Sequence, residues 1–341
     1  MSQPVFASIC ILSYNRPELL LRLLKTIDTV RVDEIEVVIC EDCSPRQKEI
    51  RNVVTEFKDH HPYPVRYFEN EKNIGYDGTF CELARRATGT WLIYMGDDDE
   101  FVAGALDQVL RFLHEQPQLG YVMKSHNLIH GGGAIERFRY FNETKFFAPG
   151  VETYIELFRK SVYIAGFMVR RECAVPYLTD RFNGTMLSQL YVLAEVVLRY
   201  PSAYLDKPFT QQYASHDHNV GDVMFDREKG QFIPRRPTLQ ISLNFLKSFS
   251  RITEFVDREH GIASTDRIKK DMSKYFYPSL AVHREAGVRI FLRYVGELNK
   301  LGFNSSYLYY IYVVLLVVLG KGVCDWGIFQ IKRILGRTPR L

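Results

Sequence analysis

The chain has 341 residues, 46% of them hydrophobic and 25% charged, with a formal net charge of +4. That is enough chain for a full core in one large or two smaller domains, and a charge balance too mild to argue for nucleic acid. Six cysteines, Cys10, Cys40, Cys43, Cys81, Cys173 and Cys324, are scattered, with one lone CEDC and no second pair to complete a four-ligand zinc site; they read as reduced and structural. The amino terminus MSQPVFASIC lacks a signal-peptide pattern, so a cytoplasmic protein is expected.

Val5 to Ser13 (VFASICILS) is a buried-strand pattern, broken by Tyr14-Asn15-Arg16-Pro17. Pro17 opens the helix PELLLRLLKTI, because its missing N–H costs nothing in the first turn. Ile35 to Cys40 is a second strand, running into Glu41-Asp42-Cys43-Ser44-Pro45 and a helix from about Arg46 to Phe57. Val65 to Phe68 is a third, followed by ENEKNIGYDGTF and a helix ending near Thr88, and Trp91 to Met95 is a fourth. This alternation predicts an α/β fold, Rossmann-like, with a mainly parallel sheet flanked by helices and right-handed crossovers. Polar residues cluster at each strand's carboxyl end: Ser13 and Asn15, Asp42 and Ser44, Asn73 and Asp77, Asp97 to Asp99. Open α/β sheets bind ligands at that end.

The fourth strand empties into three consecutive carboxylates, Asp97, Asp98 and Asp99. Like charges in one loop repel unless a cation neutralises them, and hard carboxylate oxygens at a strand tip suit Mg²⁺ or Mn²⁺ carrying a phosphate. A solvated acidic turn with an Asp N-cap is the plainer alternative.

Beyond Phe101 the pattern gives a helix from Ala103 to Glu115, a strand around Tyr121 to Lys124, and His130-Gly131-Gly132-Gly133, which lacks the strand-to-helix placement of a phosphate loop and reads as a hairpin turn. A short helix (Glu152 to Lys160), the apolar segment SVYIAGFMV and a helix beginning near Arg171 follow. In the apolar helix Leu187 to Tyr200 the one acid, Glu195, is either exposed and paired with Arg199 at i+4, or buried and available for proton transfer. SAYLDKPFTQQYA reads as two short strands, ending in SHDHN, where His216 and His218 flank Asp217.

From about Leu239 helical patterns rich in lysine, arginine and aromatics take over, which divides the chain into a ligand-binding domain, 1–225, and a helical C-terminal region, 239–341. Leu301 to Gly320 holds no charged residue, yet its apolar core is short for a bilayer span of about 20 residues. A basic tail follows, Lys332, Arg333, Arg337 and Arg340 interleaved with Trp326, Ile328, Phe329, Ile331 and Ile334. Apolar and basic residues together predict an interfacial helix on an anionic leaflet, with burial against another subunit of a homo-oligomer as the competing reading.

CILSYNRPELL, VVICEDCSP, KNIGYDGTF and GTWLIYMGDDDEF, in this order and spacing, resemble the family 2 glycosyltransferases with a nucleotide-diphospho-sugar-binding (GT-A) fold, and within them the abequosyltransferase-like branch. The resemblance covers roughly residues 5 to 220. It implies that Ser13, Tyr14 and Asn15 line the base pocket, that Asp42 hydrogen-bonds base or ribose, and that Asn73 and Gly75, with Asp77 close by, lie near the donor's ribose and sugar. It also implies a divalent metal, Mn²⁺ or Mg²⁺, on the pyrophosphate. Asp97-x-Asp99 matches the family's aspartate motif literally, whereas aligning the whole strand puts Gly96 at the usual first Asp and makes Asp98 the central acid. Asp98 and Asp99 are then the metal's carboxylates and Asp97 a substrate contact. Relatives often carry His-x-x-Asn after the last strands, matched by His216 and Asn219, and His216 is the candidate third metal ligand. Where many relatives carry a Glu-Asp pair with the general base, this chain reads Met186-Leu187-Ser188-Gln189; Asp217, then Glu195, are the candidates for that role.

The implied function is transfer of a sugar from a nucleoside-diphosphate donor to a lipid-linked or saccharide acceptor in bacterial-type surface polysaccharide synthesis, metal-dependent and inverting, by a protein peripheral on the inner face of the membrane. A non-catalytic nucleotide-sugar-binding subunit that lost its base is the alternative from another class. A nucleotidyltransferase on a similar sheet is the alternative enzyme, against which stands the absence of a basic Gly-rich loop after the first strand.

Overall fold

The structure is a computed structural model that describes residues 4–130, 133–213, 228, 231–232 and 238–335. The chain forms two compact units, Met1–Lys229 and Gly230–Leu341. In the first, strand and helix alternate as β1 (Ala7–Ser13), α1 (Pro17–Leu24), β2 (Ile35–Glu41), α2 (Gln47–Lys58), β3 (Val65–Glu69), α3 (Gly75–Arg86) and β4 (Trp91–Gly96). The four strands lie parallel in the order β3-β2-β1-β4. Every residue of β1 and β2 is buried, as expected of strands covered on both faces.

The second half of the sheet is mixed, and here the fold departs from the parallel expectation. After β5 (Glu100–Phe101) and α4 (Ala105–Glu115), β6 (Tyr121–Ile129) does not pair with β4. Its hairpin partner β7 (Ile135–Phe138), then β8 (Lys145–Phe147) and α5 (Val151–Phe158), lead to β9 (Phe167–Arg170), which inserts antiparallel between β4 and β6. The short α6 (Arg171–Ala174) and α7 (Ser188–Val197) then precede β10 (Ser202–Tyr213), parallel to β6 and antiparallel to β5 and β8. The segment expected as two strands is this single one. Pro208 cannot donate to the ladder, and the register with β6 shifts on both sides of it. All six cysteines are free.

At the amino end of the sheet the nearly buried Glu36 accepts hydrogen bonds from Ser8 Oγ (2.7 Å), Thr88 N (2.6 Å), Thr88 Oγ1 (2.9 Å) and Arg66 Nη1 (3.2 Å). Burial alone would raise its pKa, but these donors outweigh it and hold the carboxyl below the ordinary glutamate value. A depressed folded pKa contributes stability that is fully present above the unfolded value of about 4.3 and lost as pH falls through the folded one. Glu36→Gln is therefore expected to cost about 2 kcal/mol near neutrality. In melting experiments the gap to wild type should close between pH 5 and acid; a gap independent of pH would contradict this assignment.

The second unit holds α8 (Leu239–His260), α9 (Thr265–Ser273), α10 (Tyr277–Glu285), α11 (Val288–Lys300), α12 (Tyr307–Val318) and α13 (Gly320–Leu335). Thr238 caps α8 through its side chain, and Gly261 ends it in the left-handed conformation. α12 buries Tyr309 and Leu316 but exposes Tyr307, Tyr310, Ile311, Val314, Leu315, Val317 and Val318. Among the described residues no helix is long and apolar enough to cross a membrane.

Candidate active site at the carboxyl ends of the parallel strands

Three loops meet where β1, β2 and β4 end. The loop after β1 turns through Asn15, held at φ 60°, and the loop after β2 through Cys43, at φ 55°. Such left-handed backbone outside glycine is uncommon and persists where the surroundings over-determine it. Glu41, which the sequence reading passed over, fixes the second turn by accepting from Cys43 N and Ser44 N, each at 2.9 Å.

Asp97 is fully buried. Its Oδ2 accepts from Tyr14 N at 3.0 Å and its Oδ1 from Arg16 Nη2, so it ties β4's end to the loop after β1. Each of its oxygens thus has a partner within the protein. Burial pushes its carboxyl up, to about 6, against the pull of Arg16. Asp98 is partly exposed and accepts from Arg16 Nη1 through Oδ2 at 2.8 Å. Asp99, almost fully buried, accepts from the Tyr163 hydroxyl through Oδ1, and burial raises its pKa well above the ordinary value. The remaining oxygens, Asp98 Oδ1 and Asp99 Oδ2, lie 3.0 and 3.1 Å from the point where a side chain on Gly96 would begin. Glycine at 96 thus leaves open a cradle edged by two carboxylate oxygens.

Asp42 is also fully buried. Its Oδ1 accepts from Asn70 Nδ2 (2.8 Å) and Ile74 N (2.9 Å), its Oδ2 from Gly75 N (2.8 Å), and its carbonyl from Asn73 Nδ2 (2.9 Å). The expected residues Asp42, Asn73 and Gly75 are therefore brought together, with Asp42 organising the other two. Ser13 Oγ and Asn15 Oδ1, beside them in the expectation, are buried without a hydrogen-bond partner among the described residues. Removing the Asp42 carboxylate leaves buried N–H groups unsatisfied, at about 1–3 kcal/mol each. Asp42→Ala is expected to raise the donor KM at least about tenfold, with a smaller change in kcat, because the loop it holds serves ground and transition states alike. A pure kcat defect in steady-state kinetics would contradict that role.

Asp77, expected near the substrate, is fully buried. It accepts from Thr185 N, Met186 N and Ser188 N, each at 2.9 Å, and so anchors the head of α7. That head is the Met186-Leu187-Ser188-Gln189 stretch. Farther along α7, Glu195 is buried yet paired, its Oε2 accepting from Arg199 Nη1 at 2.6 Å, so it combines half of each alternative. His216, Asp217 and Asn219 lie outside the described residues.

Two groups carried no local signal. Glu228, fully buried, accepts from Tyr76 N at 3.2 Å and sits where a side chain on Gly75 would be; burial pushes its carboxyl up to about 7. Lys124, on β6, donates to Thr210 Oγ1 at 2.7 Å and lies 4.6 Å above the Tyr163 ring, and burial lowers its pKa to about 7. The close fit of Lys124 requires Gly166, where a Cβ would stand 2.6 Å from its Cε.

The family model described as glycosyl transferase family 2 matches residues 8–169. A Haemophilus influenzae protein described as an uncharacterized glycosyltransferase is 30% identical over 115 residues, 34% of this chain and 37% of that one. Abequosyltransferase RfbV of Salmonella typhimurium is 25% identical over 112 residues, 33% of this chain and 34% of that one. The chain spans about a third of the length of these curated relatives. Among solved structures, S. aureus TarS 1–349 superposes with a TM-score of 0.51 at 14% identity, covering 88% of this chain and 90% of that one. The same TarS fragment in complex with UDP-GlcNAc gives 0.53 at 12% identity over the same shares. At these identities the likeness is one of fold.

Proposed function

We propose that the protein is a glycosyltransferase that moves a sugar from a nucleoside-diphosphate donor to a lipid-linked or saccharide acceptor in surface polysaccharide synthesis. The observation that carries this reading is the convergence, at one end of the parallel strands, of orphaned buried polar atoms on Ser13 and Asn15, the Asp42-held loop at Asn73 to Gly75, and the two open carboxylate oxygens over Gly96. The abequosyltransferase relative and a fold neighbour that binds UDP-GlcNAc support the donor class.

A divalent metal fits the Asp98 and Asp99 oxygens. Among the described residues no three His, Cys, Asp or Glu side chains gather as a ligand set. Two carboxylate oxygens nevertheless suit Mg²⁺ or Mn²⁺, which are commonly held by one or two carboxylates, water and substrate phosphates. His216 is the proposed third protein ligand. When bound, such an ion stabilises the leaving diphosphate.

The protein's own residues divide the remaining work. The loops carrying Ser13, Tyr14 and Asn15 receive the base, Asn73 and Gly75 present the ribose and sugar side, and Asp98 and Asp99 face the diphosphate. An inverting displacement needs a base to take the acceptor proton during attack. Asp217 is the proposed base. The end of β10 is tied to the aspartate loop, since Tyr213 Oη (3.0 Å) and Gln211 Nε2 (2.8 Å) both donate to Glu100. Glu195 is a weaker candidate because its carboxylate is paired with Arg199. We place the protein at the inner face of the cytoplasmic membrane, docked through α12.

One observation favours a non-catalytic sugar-binding role instead: the head of α7 reads Met186-Leu187-Ser188-Gln189 where many relatives carry their base. Screening nucleoside-diphosphate sugars by thermal shift and following donor hydrolysis with Mn²⁺ separates the two. Turnover supports the transferase, binding without turnover the non-catalytic role, and neither rejects both.

A further inference from the structure

Arg16 lies on the loop after β1, one residue past the strained Asn15, and its two-pronged guanidinium spans neighbouring acids, Nη2 on Asp97 and Nη1 on Asp98. Among the described residues these are the ion pairs that the Asp97–Asp99 carboxylates make. The two pairs differ in purpose. Asp97 faces inward, with both oxygens engaged by Tyr14 N and Arg16, so its pair closes the fold around the loop. Asp98 gives Arg16 only Oδ2 and leaves Oδ1 beside Asp99 Oδ2 over Gly96.

We propose that Arg16 is a built-in counter-cation that sets the metal affinity of the aspartate loop, holding it low in the donor-free protein. The proposal rests on the metal reading given above for Asp98 and Asp99. Three carboxylates at one strand tip would otherwise invite tight binding of any divalent ion. A guanidinium on one oxygen of Asp98 offsets that charge and repels a second cation approaching the other oxygen. A donor diphosphate brings its own negative charge and restores the balance, so ion and donor enter together. Arginine suits this task better than lysine, because its planar fork can hold two carboxylates at once.

Titration of the full-length protein with Mn²⁺ alone, read by the electron paramagnetic resonance of the free ion, tests this without any turnover. Arg16→Gln is expected to bind Mn²⁺ about tenfold or more tightly than wild type, since a full unit of nearby positive charge is removed. Arg16→Lys keeps the charge but cannot hold both carboxylates at once, so its Mn²⁺ affinity is expected to fall between wild type and Arg16→Gln. If Arg16 only shapes the loop, Gln and Lys should both weaken binding or leave it unchanged, and that result overturns the proposal. Circular dichroism checks folding. If Arg16→Gln does not fold, the double variant Arg16→Gln, Asp97→Asn removes the buried unpaired charge while leaving Asp98 and Asp99 intact. Because a positive and a negative charge leave together there, a smaller tightening is expected, from Asp98 losing its direct partner, and binding weaker than wild type counts against the proposal. Binding that is lost in Asp98→Asn but unaltered by Arg16→Gln rejects the role of Arg16 alone. No Mn²⁺ uptake by any form, with or without UDP, rejects the metal reading itself.

Discussion

Asp98→Asn and Asp99→Asn are each expected to lower metal-supported sugar transfer by about three orders of magnitude, equivalent to roughly 4 kcal/mol of leaving-group stabilisation. Both replacements preserve the local hydrogen bonds, since an amide oxygen can still accept from Arg16 at 98 and from Tyr163 at 99. Stability should therefore be close to wild type, and at Asp99, where burial disfavours the ionised form, the neutral amide should be well tolerated. Asp97→Asn is the contrasting case. Its carboxylate faces Tyr14 N and Arg16 rather than the cradle, so it should act on stability and donor KM. Initial rates against Mn²⁺ concentration, with circular dichroism on each variant, check all three. Wild-type turnover in both Asp98→Asn and Asp99→Asn would remove the metal from this loop.

The contrast among the three aspartates marks how far the sequence could be read. That polar residues gather at the ends of β1, β2, β3 and β4 was legible, because buried parallel strands appear as apolar runs and their carboxyl ends fall at the first polar residues. Which carboxylate faces out was not, since Asp97, Asp98 and Asp99 are chemically identical and only the position of Arg16, 81 residues before Asp97, separates them. The partners of Asp77 were hidden for a similar reason. Its place next to the Asn73-Ile74-Gly75 turn suggested a ligand contact, but Thr185, Met186 and Ser188, more than 100 residues away, supply the N–H groups it accepts. Glu228 and Lys124 had no local pattern at all. Their environments are made by Gly75 and Gly166, glycines whose missing side chains admit them. The mixed half of the sheet escaped notice because β9 is four residues long and its neighbours in the sheet, β4 and β6, come far earlier in the chain.

Liposomes containing anionic lipid are expected to sediment the full-length protein, and Ile311→Ser, Val314→Ser and Val318→Ser together to abolish most of that binding. α12 exposes Tyr307 at 74%, Val318 at 72% and Val314 at 59%, a surface that soluble proteins rarely leave uncovered. Because these side chains are exposed, serine there removes apolar contact area without opening the core beneath Tyr309 and Leu316. α11 adds exposed Val288, Ile290 and Leu292 beside exposed Arg289 and Arg293, so apolar and basic groups share a second helix of the same unit. Each basic residue near an anionic surface contributes about 1 kcal/mol, within a Debye length. Arg289→Gln with Arg293→Gln should therefore weaken binding by roughly thirtyfold in low salt and by less in high salt. The tail residues Arg337 and Arg340 lie outside the described residues, and replacing them with Lys332 and Arg333 by glutamine should add a further salt-sensitive loss. A full-length protein that ignores such liposomes, whose oligomer instead dissociates with the three serines, would make α12 a subunit interface and move the acceptor off the membrane.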